Sequence, residues 1–314
     1  MKKKLIYDTD LIGDDLLTLF AIANSKEYEL KAITPYGRRI SSLERGKIAK
    51  KLIDEIGLKN VKIYPGVSEP LVQKKIIGCR KCDDSIEEFY NKTTSKVTTN
   101  TIVTDKIAPL YLMEIVKKHP KEYTVLGTGP LTNIALAIKL DPNFGKNLKE
   151  LVIMGGAYRC QGNVSPFAES NMFNDPEAAR IVFSNISNIR IVPLDVTKQV
   201  NIDVDYTKKL ANDDVGNLIS SIIKSCCKAH ITMDGKPLMP LHDILAYYVL
   251  EEPNIVNFEK VHLSVETQNF EQRGKLIEDE SYNIQNIGTK VNIDLMLSKF
   301  TELIQSSFWI NNQR

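Results

Sequence analysis

"KKLIYDTDLIGDDLLTLFAIANSKEYELKAIT" (residues 3–34) carries the pattern that decides the fold. A strand expected over 3–7, apolar at Leu5 to Tyr7, ends in acids, an amphipathic stretch fills 14–25, and a second strand is expected over 29–34. Strand, helix and strand in about 30 residues make the βαβ unit of a parallel sheet. The alternation continues. Strands are expected at 61–64, 122–127, 150–154 and 189–194, and helices at 41–56, 104–118, 131–139, 175–184, 213–230 and 241–250. "YTVLG" (123–127) and "LVIMGG" (151–156) are unbroken apolar runs, as strands covered on both faces require. The expected architecture is therefore one α/β domain over residues 1–314. Its open, mostly parallel central sheet carries helices on both faces, a Rossmann-like core. After about residue 255 the pattern changes. "VHLSVET" (261–267) and "TKVNIDLML" (289–297) read as strands joined by polar loops, an added β element or the edge of the sheet.

Composition narrows the partners. The chain has 314 residues, 43% of them apolar and 25% charged, with a net charge of +2. That balance gives no field favouring nucleic acid or a membrane surface. No apolar run approaches the roughly 18–20 residues that span a bilayer. "MKKKLIYD" (1–8) begins like a signal peptide, but Asp8 interrupts its apolar part after Tyr7. A cytoplasmic protein is expected. The five cysteines, Cys79, Cys82, Cys160, Cys226 and Cys227, suit reduced thiols. "CRKC" (79–82) has the spacing of half a zinc site without a second half, and reads as loop thiols.

Ligands bind at the carboxyl ends of the strands in an open parallel sheet. Asp8, Asp10, Asp14 and Asp15 follow the first strand, and Tyr36, Gly37 and Arg38 the second. "GTGPLTN" (127–133) follows the fourth and "MGGAYRCQGNVSPFAESN" (154–171) the fifth. Four acids in eight residues repel one another unless something neutralises them. A helix starting at residue 14 offers each charge only about 0.3–1 kcal/mol. Oxygen-only ligands favour Ca²⁺ or Mg²⁺, so a bound divalent cation is the sharper inference and helix capping with solvated acids the blander one. An EF-hand loop starting at Asp8 fails, because Ile12 and Leu19 stand where oxygen ligands are needed.

"DTDLIGDD", "GTGPLTNIALAIKLDP", "VIMGGAYRCQGNVSPFAESNMFNDPEAA", "PLHDILA" and "RGKLIED" occur in this order from residue 8 to residue 279. Together they resemble the nucleoside hydrolases of the inosine–uridine-preferring type, over practically the whole chain. The resemblance implies Ca²⁺-dependent hydrolysis of the N-glycosidic bond of ribonucleosides. It implies Ca²⁺ held by Asp10, Asp15, the Thr128 carbonyl and Asp243, with the ribose hydroxyls completing the shell. Asp10 would take a proton from water on the metal, and Asp14 would hold the 2′-hydroxyl. Met154, Asn163, Glu169 and Asn171 would line the ribose pocket, and His242 would protonate the leaving base, with His230 a weaker candidate. A homo-oligomer, dimer or tetramer, is also implied. Asp175 before Pro176 reads as a helix cap with a first-turn proline. Asp195 reads as a supporting residue, and His119 and His262 as ordinary surface or edge histidines.

The chain departs from the family at two places. Arg38 stands where the family commonly has Asn after Gly. A guanidinium there must point away, pair with a site carboxylate, or meet an anionic substrate. After "YPGVSEPL" (64–71) the family often has a His-Gly pair, whereas this chain has "KKIIGCRKC" and no His before residue 119. A non-catalytic descendant that binds nucleoside or sugar through the metal is the second reading. A phosphatase of the haloacid dehalogenase type is the third, weakened by Ile12 where that family carries Thr.

Overall fold

The first strand, β1 (Lys3–Thr9), sends its side chains into two separate cores. Leu5 and Tyr7 join one apolar cluster and Ile6 the other, and all three are fully buried. The same division recurs in β5 (Tyr123–Gly127), where Leu126 and Val125 face opposite ways, and in β6 (Glu150–Met154), where Val152 and Ile153 do. This is why these strands read as unbroken apolar runs: period-two alternation still holds, but both faces are covered by helices.

The computed structural model describes residues 1–72, 102–210 and 213–305. Among the described residues ten strands form one sheet in the order β11-β10-β12-β7-β6-β5-β1-β2-β3-β4. The further members are β2 (Tyr28–Pro35), β3 (Lys62–Ile63), β4 (Ile102–Val103), β7 (Arg190–Val192), β10 (Val256–Val265), β11 (Leu276–Glu278) and β12 (Ile284–Val291). From β4 to β7 and on to β12 every pairing is parallel, while β10 runs antiparallel to both β12 and β11. The β-rich end is thus an antiparallel edge added to the parallel sheet. Two short strands, β8 (Asn201–Ile202) and β9 (Met239–Pro240), pair separately. No helix among the described residues is long and apolar enough to cross a membrane.

Most expected elements lie within a few residues of their sequence positions. The helix expected over 104–118 starts later, at Ala108, with Pro109 in its first turn. The helix expected over 213–230 runs on to Asp234, where Gly235 at φ 71° closes it. "TKVNIDLML" is corrected from strand to strand-then-helix. β12 ends at Val291, Asn292 accepts the Leu295 N–H at 3.1 Å, and the helix Ile293–Gln305 begins. It buries Met296, Phe300, Leu303 and Ile304, spaced as one helical face. "CRKC" and most of the 65–103 segment lie outside the described residues.

Asp175 caps the helix Pro176–Asn185, as its sequence context implies. One carboxylate oxygen accepts the Ala178 N–H at 3.0 Å; the other accepts the Thr132 hydroxyl at 2.6 Å and the Leu71 N–H at 3.0 Å. The side chain is fully buried, so truncation leaves three donors without their acceptor. Asp175→Ala is expected to cost about 2–4 kcal/mol in a denaturant titration, from a lost cap plus unsatisfied buried donors. A loss below about 1 kcal/mol would mean that other acceptors reach these donors.

Candidate active site

β1 lies between β2 and β5, and the chain leaves it in both directions. This reversal opens a crevice at the carboxyl ends of β1 and β5, where an open α/β sheet binds ligands. Gly129, just after β5, has to be small. A Cβ there would stand 3.0 Å from the backbone nitrogen of Asp10 and 3.3 Å from its Cβ. The two strand ends therefore meet closely, and the Thr128 N–H donates to the Asp8 carbonyl at 2.8 Å.

The turn after β1 is folded around the Asp15 carboxylate. One oxygen accepts hydroxyl hydrogens from Tyr7 at 2.7 Å, Thr9 at 2.6 Å and Thr128 at 2.5 Å; the other accepts the Ile12 N–H at 2.7 Å. These bonds hold Leu11 at φ 52°, a conformation that L side chains adopt at a cost. Asp14 precedes the helix Asp15–Asn24 but does not cap it with its side chain. Its carboxylate crosses the crevice and accepts the N–H groups of Asp243, at 2.6 Å, and Ile244, at 3.4 Å. It therefore sits on the N-terminus of the helix His242–Glu251, where negative charge is favoured.

Asp10, Asp14, Asp15 and Asp243 are all buried, with exposures of 1–6%. They are not the solvated acids of the bland reading. Burial, opposed by the two helix N–H groups, pushes Asp14 up to about 6. Burial and then repulsion from Asp10 hold Asp15 well above the carboxylate range. Burial and then repulsion from Asp14, Asp15 and Asp10 do the same to Asp243. Asp8 leaves this group. It obeys the strand's alternation and faces away from Tyr7 and Thr9, accepting Thr34 Oγ1 at 2.6 Å and Asn133 Nδ2 at 2.9 Å. Burial raises it to about 7. In kind, the remaining buried, mutually repelling oxygen donors fit a hard divalent cation. Among the described residues no three acidic, His or Cys side chains form a ready-made metal cluster; the Asp14 and Asp15 oxygens are engaged by the protein donors just named.

The match of residues 5–301 to the family described as inosine-uridine preferring nucleoside hydrolase decides the identity. The chain belongs to that family. It is accordingly a nucleoside hydrolase, a glycosidase acting on N-glycosyl compounds. It is 33% identical to uridine nucleosidase 1 of Arabidopsis thaliana over 269 residues, covering 85% of this chain and 79% of that protein. It is 31% identical to the inosine-uridine preferring nucleoside hydrolase of Leishmania major, covering 97% and 96%. Among solved structures it superposes on a purine-preferring ribonucleoside hydrolase from Gardnerella vaginalis with a TM-score of 0.86 and 26% identity, covering 98% and 100%. A plant nucleoside hydrolase shares the fold with a TM-score of 0.88 over 98% and 100%, at 24% identity. Membership sets aside the phosphatase reading.

In this nucleoside hydrolase the loop after β6 brings Asn171 to the same crevice. Asn171 donates from Nδ2 to the Thr128 carbonyl at 3.0 Å and to the Met154 carbonyl at 3.2 Å. Glu169 spends both oxygens on its own loop, accepting the N–H groups of Asn171 at 2.7 Å, Gly156 at 3.0 Å and Met172 at 3.2 Å. Burial raises its pKa even so. Asn163 is exposed and accepts the Ser170 N–H at 2.9 Å. Asp195 pins the start of the loop through the N–H groups of Tyr158, at 2.8 Å, and Arg159, at 2.6 Å. His242 opens the helix next to Asp243, its Nδ1 held 2.7 Å from Thr197 Oγ1. His119 and His262 lie outside the crevice, beside Glu122 and the Tyr282 carbonyl.

Arg38 neither points away nor reaches solvent. One terminal nitrogen lies 2.6 Å from Asp10 Oδ2 and 2.8 Å from Asn171 Oδ1; the other donates to Ser170 Oγ at 3.0 Å. Three residues of the site escaped sequence reasoning. Tyr7 and Thr9 look like ordinary strand residues, and their hydroxyls bind Asp15. Arg45 looks like a solvated helix charge, yet it is fully buried and donates to the Asp10 carbonyl. A Thr between two acids in "DTD" was the available signal for Thr9; Arg45 had none.

Proposed function

We propose that this enzyme hydrolyses the N-glycosidic bond of ribonucleosides to ribose and free base, and that it depends on Ca²⁺. The observation carrying this reading is the group of buried carboxylates, Asp10, Asp14, Asp15 and Asp243, at the β1–β5 crevice of a nucleoside hydrolase fold. Asp10, Asp15, Asp243 and the Thr128 carbonyl would hold the ion, which when bound supplies Lewis-acid activation of water and an anchor for the 2′- and 3′-hydroxyls.

The protein's own residues do the rest. Asp14 accepts a hydrogen bond from the 2′-hydroxyl, and Met154, Asn163, Glu169 and Asn171 enclose the sugar. As the bond from C1′ to the base nitrogen stretches, positive charge grows on the ring and the carboxylate cluster stabilises it. Water adds its oxygen to C1′ and gives a proton to Asp10. His242 gives a proton to the departing base nitrogen. The sum is nucleoside plus water to ribose plus base, and both side chains are reset by exchange with solvent.

Removal of divalent ions with a chelator is expected to abolish turnover of uridine and inosine, and excess Ca²⁺ to restore it. The 2′-deoxynucleosides should be hydrolysed at least about tenfold more slowly, since each good hydrogen bond lost in the transition state is worth about that much. Full activity after exhaustive chelation overturns the metal dependence. Equal rates on ribo- and deoxyribonucleosides overturn the ribose preference.

A further inference from the structure

A buried cation already sits on the proposed metal ligand. The side chains of Arg38 and Asp10 are 3% and 4% exposed, and their 2.6 Å contact is shielded from water. Arg38 is also held from its other end. It donates to Ser170 Oγ and Asn171 Oδ1, and Asn171 in turn engages the Thr128 carbonyl. The guanidinium therefore ties together the two crevice walls, the end of β1 and the loop after β6. Asp14 and Asp15, by contrast, are satisfied by neutral donors: helix N–H groups and hydroxyls.

Two cations competing for one carboxylate in a low-dielectric crevice repel strongly. Guanidinium makes directional hydrogen bonds to carboxylate oxygens; a calcium ion needs those same lone pairs. We propose that Arg38 is a built-in counter-cation that competes with the divalent ion for Asp10. In its absence Arg38 neutralises Asp10 and keeps the crevice assembled. Binding of the ion requires the guanidinium to release Asp10 Oδ2, which weakens metal affinity and couples metal entry to a movement of Arg38 away from Asn171. The inference rests on the reading that Asp10 is a metal ligand.

Calorimetric titration of the chelator-stripped protein with CaCl₂ tests it, with thermal melting in chelator as the second readout. Arg38→Gln keeps a polar but shorter side chain and removes the charge. It is expected to tighten Ca²⁺ binding by about tenfold or more, as loss of a buried like-charge repulsion dictates. It should also lower the melting temperature in chelator, because Asp10 loses its partner. Arg38→Lys keeps the charge and stays within a few-fold of wild type. Ser170→Ala leaves the charge and every proposed ligand in place but loosens Arg38, and should tighten binding by a few-fold. This variant decides the question if Arg38→Gln does not fold. Unchanged affinity in both Arg38→Gln and Ser170→Ala overturns the competition while the calcium reading stands. Folded proteins that bind no Ca²⁺, wild type included, overturn the calcium reading and the competition with it.

Discussion

Asp10→Asn should lower kcat by about 10²–10⁴-fold while KM changes only a few-fold, the loss typical of a positioned general base. The substitution is close to isosteric. The Asp10 carbonyl, which takes the Arg45 guanidinium, is untouched. What disappears is the anion that would receive the water's proton and that now pairs with Arg38. Because the amide is also a poorer metal ligand, calcium affinity is measured beside turnover. With the metal site saturated, the loss in kcat should persist. If the saturated variant turns over like wild type, the base is another group.

The second large effect belongs to His242 and depends on the leaving group. A nucleobase anion leaves poorly and needs a proton, whereas p-nitrophenolate departs unaided. His242→Ala should therefore lose about 10²-fold or more on inosine and keep most of its activity on p-nitrophenyl riboside. The geometry makes this comparison necessary. His242 begins the helix whose first N–H groups bind Asp14, and its neighbour Asp243 is itself buried in the carboxylate group. A purely positional role, exerted through that helix end, would depress both substrates alike. Equal losses would assign His242 to support of the carboxylates.

The order of the central strands and helices was legible because both faces of the sheet are covered there, so β5 and β6 declare themselves as apolar runs. The crevice was legible too. Asp10, Asp14 and Asp15 follow β1, and the rule for parallel sheets points to that end. Asp243 was accessible only through resemblance, since it lies 228 positions after Asp15 and no local pattern links them. What failed was whatever depends on a partner distant in the chain. Asp8 looked equivalent to Asp10, but it still lies within β1 and obeys its alternation, whereas Asp10 lies past the strand, where the chain turns. Arg38 left three orientations open, because its choice depends on Asn171 and Ser170 arriving from the loop after β6. Arg45 reads as a surface charge until the end of β1 is placed beside its helix. "TKVNIDLML" misled for a local reason: its alternating apolar residues match a strand until Asn292 is recognised as a cap.

The most direct measurement follows inosine, uridine, adenosine, guanosine and cytidine by proton NMR with the wild-type enzyme in Ca²⁺ and no phosphate. Equimolar free ribose and free base are expected from at least one of them, with none formed in chelator. A folded, calcium-loaded enzyme that leaves all five intact, or that releases base only when phosphate is added and the sugar leaves phosphorylated, contradicts it.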